Sequence, residues 1–178
     1  MKATRSLLAA MVLGTAIGAS QSSAQCSSNT GSCNTTNTAS VTVGALVKLG
    51  MTTTTTALTA PSVTDIEGAV SLDNAGPAFT VKANRSWNLK IKSFNATTFD
   101  YVGTDSGVKP ISDLSWAISS GGSYSALTAS DVSIASGASS NSTTVNAFFR
   151  TSWAGGFSAA SNAPGTYSLP IVFTLTAP

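Results

Sequence analysis

The sequence predicts an all-β protein: a single antiparallel β-sandwich of about seven to nine strands, immunoglobulin-like or jelly-roll in type. Three observations lead there. Apolar residues recur at every second position in several separate runs, the spacing of half-buried strands. Ser and Thr fill 54 of the 178 positions, so those runs are cut by small, turn-forming residues. Beyond the N-terminal leader, no stretch carries the apolar period of an amphipathic helix.

The leader comes first. Residues 1–24 read as a secretory signal peptide: Lys2 and Arg5 form a basic start, Leu7 to Ala19 an uncharged apolar run, and Ser22-Ser23-Ala24 a small-residue cleavage site. The run falls short of the about 20 residues a membrane helix needs, and no later segment approaches that length, so no membrane insertion is expected after signal removal. Gln25 before Cys26 does not fit a lipoprotein site. The expected location is secreted, extracellular or at the cell surface after periplasmic transit. Cleavage after Ala24 leaves 154 of the 178 residues, the size of one domain, and removes two of the nine basic residues, leaving seven against seven acidic ones. A neutral, charge-poor chain lacks the clustered Lys and Arg that nucleic acid demands.

Residues 25–37 form a polar tail holding the only two cysteines, Cys26 and Cys33. In an oxidising compartment these are expected to form a disulfide, with intermolecular pairing the lesser alternative. The sandwich domain is assigned to residues 38–178. It opens on a long alternation in which Ala39, Val41, Val43, Ala45, Val47, Leu49 and Met51 share one parity. That run exceeds the usual strand length, so Gly44 or Gly50 is expected to mark a bulge or a change of sheet. After the threonine run 52–56, Pro61, Gly68 and Asn74-Ala75-Gly76-Pro77 punctuate the chain. Phe79, Val81 and Ala83, then Trp87, Leu89 and Ile91, alternate with polar partners around a turn near Asn84-Arg85. Shorter strands are expected at 99–102, 114–119, 124–128 and 143–153. The chain closes on Pro164-Gly165-Thr166 and a run placing Tyr167, Leu169, Ile171, Phe173 and Leu175 on one face, with Pro170 unable to donate to a ladder.

Chemistry is hard to find. The chain has no histidine, which excludes Ser-His-Asp and Cys-His catalysis and His-bound zinc. Its carboxylates, Asp65, Glu67, Asp73, Asp100, Asp105, Asp113 and Asp131, fall mainly in expected turns, where Asp accepts backbone hydrogen bonds. Neither 65–67 nor 100–105 matches a known calcium loop. No catalytic residue, metal ligand or cofactor is expected. Trp87 and Trp116 lie inside alternating strands and read as core, whereas Trp153, ahead of Ala154-Gly155-Gly156-Phe157, is the candidate exposed aromatic for a ligand.

The closing Pro164-Gly165-Thr166-Tyr167 and its alternating strand resemble the last strand of bacterial fimbrial-type and spore-coat-U-like secreted β-sandwiches, and the Ala39–Met51 and Asn84–Ile91 segments are similar to their early strands. The resemblance implies a sandwich that gains a strand from a neighbouring subunit. The expected function is therefore a non-enzymatic surface or extracellular structural subunit. It would self-associate into filaments or a coat by strand pairing, with Val41, Val43, Val47 and Leu49 as the candidate assembly strand. The alternative is an adhesin module that binds glycans or a surface through aromatic loops.

Overall fold

The computed structural model describes residues 31–178; the predicted signal peptide and Cys26 lie outside them. The chain divides into two units, Met1–Thr42 and Val43–Pro178. In the first, residues 31–42 are exposed and carry no regular secondary structure. No cysteine among the described residues is free.

The second unit is all-β and sandwich-like. Its described strands number ten: β1 (Val47–Met51), β2 (Ser71–Ala83), β3 (Trp87–Ser93), β4 (Asp100–Val102), β5 (Leu114–Ala117), β6 (Ser125–Ala126), β7 (Val132–Gly137), β8 (Ser140–Ser152), β9 (Thr166–Ser168) and β10 (Ile171–Thr176). One sheet runs β1-β2-β8-β5-β6, the facing one β10-β3-β7, and β4 and β9 form a separate ribbon. All pairings are antiparallel. The inward faces meet in a core that includes Phe79, Val81, Leu89, Ile91, Leu114, Leu127 and Phe149, each at most 2% exposed. Phe79 of one sheet and Phe173 of the other touch across it, ring centroids 4.4 Å apart. Trp87 and Trp116 are buried in the same core.

Several elements depart from the sequence expectation, among them β7, which no expected strand covers. The Asn74–Pro77 cluster is not a turn but a bulge inside β2, where the register against β8 slips between Ala75 and Ala78. Proline fits there because a bulge excuses its missing N–H. Gly76 is needed because a Cβ would stand 2.7 Å from the Phe149 ring and 2.9 Å from the Ala147 carbonyl. The C-terminal alternation is two strands, broken at Leu169-Pro170: β9 joins β4 and β10 joins β3. A short helix, α1 (Val63–Glu67), was also not anticipated. It forms through a capping box in which Ser62 Oγ accepts from the Asp65 N–H and Asp65 accepts from the Ser62 N–H.

Strand directions give this unit two unlike ends. The turn pole carries the β2–β3 and β7–β8 turns, the start of β1 and the end of β10. The loop pole carries α1 and the long connections 94–113 and 153–165.

Candidate functional site

The feature that stands apart is an unfinished side of the sandwich. Among the described residues β1 pairs only with β2, and β10 only with β3, so each sheet ends there on a strand with one edge that they leave unpaired. Beside these edges lies an apolar groove of about 590 Å³, bounded by Met51, Leu58, Phe99, Tyr167, Ile171 and Phe173 among others. On β3 the inward residues Leu89 and Ile91 are 0% and 1% exposed. Their β10 partners Leu175 and Phe173, and Ile171 beside them, are only half-buried. A strand inside a finished sandwich covers its inward face. β10 does not: its outer edge pairs with no strand among the described residues.

The candidate assembly strand is divided by the structure. Val47 and Leu49 belong to β1, opposite Ala83 and Val81, and Leu49 packs against the core. Val41 and Val43 are 88% and 67% exposed and lie in no strand. The expected 39–51 strand is cut because its partner runs out: β2 ends at Ala83 and turns into β3. Asn84 then prolongs the pairing. Its Oδ1 accepts from the Leu46 N–H at 2.8 Å, its Nδ2 donates to the Gly44 carbonyl at 2.9 Å, and its own N–H donates to the Leu46 carbonyl at 3.2 Å. Upstream of Gly44 the described residues show no ladder, although the alternation continues through Val43 and Val41.

Trp153 is not the exposed aromatic that its glycine-rich neighbourhood suggested. It is 9% exposed, because β8 carries its inward parity through Val145, Ala147, Phe149 and Thr151 to this next position. The Lys109 ammonium lies 4.1 Å from the centroid of its ring, and also donates to Asp113 at 3.0 Å and to the Ser152 carbonyl at 2.6 Å. Burial pushes the Lys109 ammonium below its ordinary pKa, with Asp113 opposing the shift. Among the described residues, Phe94 and Phe157, at 74% and 59%, are the exposed aromatic side chains. Sequence reasoning passed over Lys109; its only signal was a carboxylate four positions on.

The carboxylates are spread out, and among the described residues no three His, Cys, Asp or Glu side chains come together. Arg150 forks onto Asp73 across the β2–β8 pair, holding that carboxyl below its usual pKa, and stacks on Tyr124 with its guanidinium 4.0 Å from the ring centroid. At the loop pole, Tyr101 and Tyr167 face each other from β4 and β9, and their hydroxyls donate to the Pro164 and Ala163 carbonyls. This fastens one wall of the groove.

No family model matches the chain, and neither the curated proteins nor the solved structures contain a significant match.

Proposed function

We propose that the protein is a non-enzymatic, secreted structural subunit that polymerises by strand addition, the segment 39–46 of one copy lying along β10 of the next. The observation that carries this reading is the pairing of a surplus with a gap. An alternating apolar segment is held at Gly44 and Leu46 only by Asn84 and has no ladder partner upstream among the described residues, and a strand edge unpaired by them runs beside an apolar groove. Eight residues of extended chain span about 26 Å, enough to run the length of β10. Backbone hydrogen bonds would supply the affinity, while Val41 and Val43, on one parity, would fill the groove. Such contacts are heterologous and need not close, so they yield filaments. A disulfide between Cys26 and Cys33 would staple the tail ahead of the donor segment. The adhesin alternative loses its first candidate with the burial of Trp153.

The test uses a variant carrying Val41→Asp and Val43→Asp. Both residues are exposed, so the domain should keep its β-sheet circular dichroism. Gel filtration and negative-stain microscopy should show polymers for the wild type and folded monomers for the variant, with the variant binding an added peptide spanning 39–46. A wild type that stays monomeric at high concentration, or a variant that polymerises equally well, would sink the proposal.

A further inference from the structure

The charges of the folded unit are sorted along its axis. Among the described residues three ion pairs form: Lys92 with Asp131, Lys109 with Asp113, and Arg150 with Asp73. Of the seven basic and seven acidic residues that follow the leader, this leaves four acids and four bases unpaired, and they do not mix. Asp65 and Glu67 sit on α1, Asp100 on β4, and Asp105 in the loop that follows, all at the loop pole. Lys48 and Lys82 sit near the ends of β1 and β2, and Arg85 in the β2–β3 turn, all at the turn pole. Lys90 lies between, on the outer face of β3.

We infer that the acidic loop pole docks on the basic turn pole of a second copy, so that electrostatics set the direction of assembly before any strand is exchanged. Three features favour a second copy as the occupant. The unit is neutral but polar, so two copies attract head to tail and repel at like ends. Lys48 and Lys82 stand directly opposite each other in the β1–β2 ladder, a like-charge arrangement that costs stability within one copy and is relieved by facing acids. Finally, β1 enters the fold at the turn pole, while the groove reaches from β1 and β10 to Phe99, Tyr167 and Ser168 towards the loop pole. Charge docking and strand addition therefore point along the same axis. The direction of this docking rests on the polymerisation reading; the charge attraction itself does not.

Exposed charges of this kind act mainly on encounter, raising association rates by about 10- to 1000-fold at low ionic strength and fading beyond a Debye length of about 10 Å at 0.1 M salt. Two variants separate the effects. Lys48→Glu/Lys82→Glu/Arg85→Glu makes both poles acidic, and Asp65→Lys/Glu67→Lys/Asp100→Lys/Asp105→Lys makes both basic. Sedimentation velocity and light scattering at 20 and 500 mM NaCl should show wild-type association falling at least tenfold with salt. Each variant alone should associate slowly, and an equimolar mixture should recover the fast, salt-sensitive rate, which a misfolded variant could not do. Equal rates for the wild type and both single variants, or a mixture no faster than its components, overturns the inference even if strand-exchanged polymers form. If instead the variant with Val41→Asp and Val43→Asp forms salt-sensitive chains that never lock, the charge docking stands and strand exchange does not.

Discussion

Lys109 shows how a single charge is kept inside a mostly neutral core. Its ammonium has a carboxylate, a carbonyl and an indole face around it, so its desolvation is offset on three sides. Lys109→Ala should destabilise the domain by about 2–4 kcal/mol, by emptying the site and stranding Asp113. Lys109→Met, which keeps a stem against Trp153 while Asp113 retains some water, should cost only about 1 kcal/mol; chemical denaturation would measure both. Thr151 is the opposite case. It is 2% exposed and its hydroxyl finds no partner among the described residues, so Thr151→Val should be neutral or stabilising by up to about 1 kcal/mol. Asp73 gives a pH signature. Its folded pKa is depressed by Arg150, so its stabilisation is complete above the unfolded value of 3.8 and is lost as pH falls through the folded one. The melting-temperature gap between the wild type and Asp73→Asn should therefore close as the pH drops below 3.8, as followed by calorimetry.

At the scale of elements, two phenylalanines in contact should behave differently. Phe79 is 1% exposed and its change to alanine should cost about 3–5 kcal/mol. Phe173, half-buried on the free edge, should cost clearly less in the isolated subunit, and more once a strand covers it. Urea titration with and without the 39–46 peptide would show both effects. Which elements could be read from sequence follows from how much of each strand faces the core. β3 and the inner half of β8 alternate strictly because one face is fully buried, and the sequence shows it. β7 has only Ile134 fully buried among serines and small residues, so its pattern is too thin to read. Residues 71–78 of β2 were hidden by Gly76-Pro77, which punctuate most chains but here only bulge a strand. The groove could not be read at all, since it depends on β1 and β10 being the ends of their sheets. That is a fact of topology, while the alternation at 39–46 looks the same whether or not a partner lies beside it.

Taken as a whole, the molecule combines a neutral sum with unequal ends. No histidine is present, and the charges sorted to the two poles come from Asp, Glu, Lys and Arg, residue types whose ordinary pKa values lie well away from neutrality; the shift at Asp65, held by Ser62, is further downward. Assembly rates should therefore stay level between about pH 5.5 and 8.5 at fixed salt, and a stopped-flow scattering series would check this. Asn84 sets a second control, since its side chain holds Leu46 and Gly44 to their own domain. Asn84→Ala should remove the protection of the Leu46 amide against hydrogen exchange and speed polymerisation, while lowering subunit stability by no more than about 1 kcal/mol.

The half-covered face of β10 also bears on what a melting temperature means for this protein. On the strand-addition reading, the folded subunit is a receptor and its neighbour's tail is the ligand. Ligand-linked folding then adds about 1.4 kcal/mol for each tenfold rise in subunit concentration above the dissociation constant. Dilution would soften the fold, and crowding subunits together at a surface would harden it. Heat resistance would then belong to the population of chains, and a thermogram recorded at one concentration would describe that concentration alone.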